Sequence, residues 1–316
     1  MAADRPVARA GWSINFDRTS QIKAAVVGAA FVATFWQLLD FIPAGGLGEV
    51  VHRWVHESDW SHGPIIPLFS AYLLYLRWDD VRRSPIRGTW VGLVIMLVGL
   101  ALYQWSLWGL MIGYARPVAM MVCLLGVVIF LCGLPVMRYA WLPWLYLFFA
   151  IPIPRRYYFF MTDPLQRLAA KVACGVLEML PGLDIEPMGI MIHPVLNGKP
   201  LTPLSVSDAC SGMRSTMVLC ALGTAVAFMT VRPWWQRVLL LAACVPIATF
   251  CNAIRVTVTC WLHIYVDPMY AEGPYHTALG LVVILLATLM FLGLSWLMNN
   301  IVVEDREPEA PEAPEA

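Results

Sequence analysis

Charge is scarce in this chain. Only 13% of its 316 residues are charged, while 59% are hydrophobic. A soluble domain carries about a quarter charged residues. The deficit excludes an ordinary water-soluble core and implies an α-helical membrane protein. Acidic and basic residues number 21 each, so formal net charge is zero. Without a basic stripe to neutralise phosphates, no nucleic acid is expected as a partner. Metal-site spacing is missing as well. The eight cysteines form no C-x-x-C pair, and neither a zinc site nor a disulfide framework is expected. His52, His56 and His62 cluster with Glu57 and Asp59. H-E-x-x-H is nevertheless absent, which argues against a metalloprotease. No metal or other cofactor is expected. No internal repeat is found.

Long apolar runs are what is present. Hydropathy predicts an all-α, polytopic membrane bundle of about eight transmembrane helices. The spans are 24–43, 63–77, 89–109, 117–134, 138–153, 212–231, 237–262 and 276–298. The first run follows Arg5, Arg9, Arg18 and Lys23 and has no convincing cleavage site. It is therefore read as a retained anchor. Pro246 predicts a kink or break in the overlong seventh span.

Orientation follows the basic residues. The N-terminal arm, the loop bearing Arg77, Arg82, Arg83 and Arg87, then Arg138, Arg232 and Arg237 all mark one side. That puts both ends inside and an insert of about 154–208 outside. Thr162-Asp163-Pro164 predicts a helix start. Leu165, Leu168, Ala169, Val172, Val176 and Leu177 give that helix one apolar face, suited to the bilayer surface. Gly189 to Val206 alternates around Asn197-Gly198, which predicts a small β-hairpin before the sixth span. The chain thus divides into a cytoplasmic arm (1–23), an integral domain (24–298) and an acidic, Pro-rich tail (299–316). The tail's composition predicts disorder.

Three polar clusters fall at outer span ends. Asp208-Ala-Cys210-Ser-Gly-Met-Arg-Ser215 opens the sixth span, Asn252-Ala-Ile-Arg255 lies in the seventh, and His276-Thr-Ala-Leu-Gly280 opens the eighth. Their shared sidedness is independent of the basic residues that set the orientation. A cysteine at a helix N-terminus is favoured as thiolate. Cys210 is the candidate nucleophile, and His276 the candidate general base and acid. Arg255 is costly within a membrane, so a functional role is expected of it. Its fork of donors suits a developing oxyanion. Asn252, three residues earlier on the same face, is placed to orient it. Arg214 offers a second cation, and Asp208 and Ser211 flank the cysteine. Taken singly, each has a plain reading: a packing cysteine, a structural arginine, a solvated histidine.

The motifs A-C-S-G-M-R-S at 209–215, N-A-I-R at 252–255 and H-T-A-L-G at 276–280 resemble, in order and separation, those of the exosortase/archaeosortase family. The stretch SHGPIIPLFSAYLLY beginning at Ser61, and the approach Leu204 to Asp208, also look like that family. The resemblance covers roughly Ser61 to Met298. It implies a membrane cysteine protease or transpeptidase with Cys210, Arg255 and His276 as catalytic triad. Substrates would be exported proteins with a C-terminal signal made of a Pro-Glu-Pro-like motif, a membrane span and a basic cluster. Cleavage at the outer face of the inner membrane would give a thioester, then transfer to an unknown acceptor. Such systems belong to Gram-negative bacteria and accompany exopolysaccharide genes. Some members carry an extra domain after the last span. Here the acidic tail stands in that place, so that activity is expected to be absent or supplied elsewhere. Two alternatives stay open: an intramembrane serine protease using Ser211 and His276, and a non-enzymatic transporter.

Overall fold

The computed structural model describes residues 18–39, 49–110, 114–206, 212–229, 232–267, 269 and 273–301. These are mostly helical, with one small sheet. The chain falls into two compact units that divide between Arg155 and Arg156.

The first unit holds α1 (Arg18–Leu39), α2 (Glu49–His56), α3 (Ile65–Leu76), α4 (Trp78–Arg83), α5 (Trp90–Trp105), α6 (Ala115–Leu131) and α7 (Leu134–Tyr146). Apolar helices gain little from the hydrophobic effect inside lipid, so close backbone approach and polar bonds must join them. Both devices occur. A Cβ at Gly99 would stand 2.7 Å from the backbone nitrogen of Cys123, and Gly92 and Gly126 likewise face backbone of the opposite helix. Glycine thus brings α5 and α6 together. Ser70 Oγ donates to the Pro143 carbonyl at 2.7 Å, joining α3 to α7. Trp144 Nε1 donates to the Met121 carbonyl at 2.9 Å, joining α7 to α6. Near α2, Trp54 Nε1 donates to the Ala150 carbonyl at 2.7 Å, and Gly63 lies against the Trp54 indole. Arg53 grips Glu57 through two bonds of 3.1 and 3.0 Å.

The second unit opens with α8 (Arg155–Leu177) and a sheet of β1 (Leu183–Met188), β2 (Met191–Leu196), β3 (Lys199–Pro200) and β4 (Leu204–Ser205). It ends with α9 (Gly212–Met229), α10 (Trp234–Tyr265) and α11 (Gly273–Ile301). β2 pairs antiparallel with β1, β3 and β4. The expected hairpin at Asn197-Gly198 is present, with φ of 51° and 77° at the two turn residues. Positive φ at both is what a two-residue hairpin turn of this hand requires. Ala169, Ala170, Ala173, Cys174 and Leu177 of α8 pack with Leu183, Ile185 and Ile192 of the sheet and with Ala253, Val256 and Cys260 of α10. A second core joins α9, α10 and α11 through Leu219, Ala227, Leu240, Cys244, Ala248, Cys251, Val283, Ala287 and Phe291.

Several expectations need correction. Among the described residues, three helices are long and apolar enough to cross a membrane: Trp90–Trp108, Trp234–Tyr265 and Thr277–Asn300. Gln21–Trp36, Ile65–Leu76, Ala115–Leu131 and Thr216–Met229 are apolar but shorter, so helix length alone does not establish eight crossings. α10 runs unbroken through Pro246. The core contacts of Leu240, Cys244 and Ala248 around it hold the helical course. α8 begins at Arg155, seven residues before the expected start, and contains Pro164. Thr162 Oγ donates to the Tyr158 carbonyl at 3.0 Å, a bond internal to a helix already under way. The apolar positions of α8 divide: Ala169 and Leu177 pack on the sheet and α10, while Leu168, Val172 and Val176 are exposed, as apolar groups facing a bilayer surface would be. Finally, β1 is a strand beyond the expected hairpin.

Candidate active site

The site is built on α9, α10 and α11, which run alternately in direction and meet in defined layers. In one layer, Cys244 Sγ approaches the Leu219 carbonyl at 3.6 Å. Gly223 faces Cys244 Sγ, and a Cβ there would stand 3.3 Å from the Phe291 ring. Gly212, Arg255 and Gly280 each stand eleven residues from Gly223, Cys244 and Phe291 respectively. Eleven residues make about three helical turns, so they carry each helix ~16 Å onward and return it to within about 20° of the same face. The spacing therefore predicts a second layer at these positions.

The contact between α10 and α11 bears this out directly. A Cβ at Gly280 would lie 3.0 Å from Arg255 Nη2 and 3.3 Å from its Cζ. Arg255 is 7% exposed and Asn252 only 3%. A guanidinium thus lies in the interior of an apolar bundle, seated on a glycine of the neighbouring helix. His276 is the register position one turn before Gly280, in the first turns of α11. Gly212 is the first residue of α9, and Arg214 lies in its first turn. The structure therefore brings Arg255 to the opening turns of α11, while Asn252 Oδ1, the atom of that side chain able to accept from a guanidinium, makes no hydrogen bond among the described residues, so the expected orienting bond is not formed. Asp208, Cys210 and Ser211 lie outside the described residues.

The polar character of α10 extends beyond the expected pair. Thr259, one turn past Arg255, is 1% exposed. His263 follows one turn later, its Nε2 3.0 Å from Thr202 Oγ and 3.1 Å from the Thr202 carbonyl oxygen. Both residues sit at helical spacing from Arg255, and that spacing is the signal that could have found them.

Cys174 in α8 is a contrast among the cysteines. Burial, reinforced by the nearby Glu178 carboxylate, pushes its thiol up to about 11, so it stays protonated near neutral pH. His52 and His56 stack at 4.2 Å between ring centroids. Among the described residues no three His, Cys, Asp or Glu side chains group as a metal site would require.

Comparison with known proteins agrees with the motifs. The family model described as transmembrane exosortase (Exosortase_EpsH) matches residues 54–293. No curated protein and no solved structure matches the chain. The matched span covers most of the sequence and all three motifs, and the chain belongs to the transmembrane exosortase family.

Proposed function

We propose, with membership of that family as the premise, that this membrane protein is a cysteine transpeptidase that cleaves C-terminal sorting signals of exported proteins. In this reading Cys210 is the nucleophile, His276 the general acid and base, and Arg255 the cation for the oxyanion. The observation that carries it is the Arg255 guanidinium on Gly280. A buried cation in an apolar helix is costly unless it serves a purpose. This one lies against Gly280, one turn beyond His276 on α11.

The chemistry runs in two halves. The Cys210 thiolate adds to the scissile carbonyl, and the oxygen that becomes negative is held by Arg255. The C–N bond then breaks, and protonated His276 gives its proton to the leaving amine. A thioester remains on Cys210. An acceptor nucleophile then attacks it, His276 takes the acceptor's proton, and Cys210 leaves as thiolate. Asp208, Ser211 and Arg214 flank the nucleophile as supporting groups. The outer face of a bacterial inner membrane is the proposed setting. Exported proteins with the tripartite signal are the proposed substrates, and the lipid bilayer the medium.

The test is Cys210→Ala in cells expressing a tagged reporter that ends in a Pro-Glu-Pro motif, an apolar span and a basic cluster. Uncleaved reporter should accumulate in the membrane with the variant alone, while Ser211→Ala still processes it. Processing that survives Cys210→Ala overturns the cysteine mechanism. Loss with Ser211→Ala alone would favour the serine reading.

A further inference from the structure

α10 has two packed faces. Leu240, Cys244, Ala248 and Cys251 meet α9 and α11. Ala253, Val256 and Cys260 meet α8 and the sheet. Asn252, Thr259 and His263 lie along the boundary between these faces, within about 40° of one another around the helix axis. From Asn252 to His263 these three side chains give the seam polar groups over about three turns.

Its polar atoms are also unusual in what they touch. Asn252 is 3% exposed and Thr259 1%. Asn252 Oδ1, Thr259 Oγ and His263 Nδ1 are all buried without a hydrogen bond among the described residues. Thr259 could easily have satisfied itself. On the same helix, Thr249 and Thr257 each donate to the carbonyl four residues earlier at 2.8 Å, the usual resolution for a threonine inside a membrane helix. Thr259 forgoes that bond. A buried hydroxyl or carboxamide left unpaired costs roughly 1–3 kcal/mol. Two of them one turn either side of Arg255, on one line, form a pattern that a ligand can satisfy.

We infer that this seam binds the main chain of the substrate peptide, with Asn252 and Thr259 as the hydrogen-bond partners on either side of Arg255. This rests on the transpeptidase reading. Asn252 and Thr259 are about 10 Å apart along the helix axis, the length of roughly three residues of extended chain. A peptide lying along α10 can therefore reach both groups and keep its scissile carbonyl beside Arg255 between them. Both groups are closed from solvent in the unliganded chain, so the bundle face and the α8–sheet face must part to admit the peptide. The same contacts explain how a substrate segment with its own amide groups is accommodated where water is scarce.

The experiment uses the full chain in membranes with the same reporter. Asn252→Leu and Thr259→Val remove the unpaired groups, and Thr259→Ser keeps the hydroxyl. Processing at limiting reporter should fall about tenfold for each of the first two, equivalent to one hydrogen bond of about 1.4 kcal/mol. The fall should appear as a raised KM with kcat largely kept. Thr259→Ser should process normally. Membrane abundance and Tm should be unchanged or higher, because an unsatisfied buried group has been removed. Two results overturn the inference: normal processing by both variants in membranes where Cys210→Ala blocks it, or a fall that tracks a lower Tm. Processing that persists with Cys210→Ala takes down the transpeptidase reading itself, and this inference with it.

Discussion

The α5–α6 pair of the first unit and the helices of the second use the same residue for opposite ends. In the first unit, Gly92, Gly99 and Gly126 bring the backbones of α5 and α6 into contact. In the second, Gly223 and Gly280 admit side chains: Cys244 Sγ at one, the Arg255 guanidinium at the other. Glycine serves pure packing where backbone meets backbone, the usual means of joining helices in lipid. Where it makes room for a functional group, it marks a seat. The difference separates a scaffold from a site in helices of similar apolar composition.

The sharpest break in that comparison is the seated cation. Arg255→Lys keeps the positive charge but replaces a planar fork with a point charge. It should lower reporter processing by about 10²-fold or more, the scale of losing one oxyanion donor. Pulse labelling of reporter cleavage, scaled to enzyme abundance, is the measurement. Near-normal cleavage would reduce Arg255 to a structural cation and leave Gly280 a packing glycine like those of the first unit.

A matched pair of glycine substitutions sharpens it next. Gly126→Val forces backbone apart in the first unit, and overpacking of this kind costs about 1–3 kcal/mol or more. Membrane abundance should fall severalfold, with cleavage per folded molecule unchanged. Gly280→Ala should do the reverse. Its Cβ would meet Nη2 at 3.0 Å, so the guanidinium yields by a few tenths of an ångström. Abundance should hold, and cleavage per molecule should drop about tenfold, since small misplacements at a reacting centre are costly. Equal effects of the two on abundance would erase the distinction between scaffold and seat.

Much of this was legible beforehand, for reasons that particular residues show. Asn252 and Arg255 are charged or polar in an apolar run, and their spacing places them on one side of a helix. Asn197-Gly198 has the two residues that tolerate positive φ. Other features left no such mark. β1 contains Asp184, Glu186 and Pro187, and only Leu183 and Ile185 of its six residues are buried, too short an alternation to stand out. The early start of α8 was hidden because Arg155 to Met161 lacks a one-faced pattern and Pro164 imitates a first-turn proline. Pro246 imitates a break that core packing overrides. Thr259 is the subtlest case. Its spacing from Arg255 is its one mark in the sequence, and its burial and the missing bond to the carbonyl one turn back set it apart from Thr257.

The smallest expected effect concerns a cysteine of the second unit that belongs with the scaffold. Cys174 packs between α8 and the sheet. Burial first, and the Glu178 carboxylate second, raise its thiol from 9.0 to about 11. The folded state therefore prefers the protonated form. That preference is fully present below pH 9 and is lost as pH rises through about 11, so stability should decline across this window. Cys174→Ala should flatten the alkaline part of a Tm-against-pH curve and leave the curve near neutrality little changed. In the folded protein, Cys174 should also resist maleimide near pH 7, since the thiolate is the reactive form. A steep alkaline decline that persists in Cys174→Ala would assign it to another group. Rapid labelling near neutrality would move Cys174 out of the scaffold.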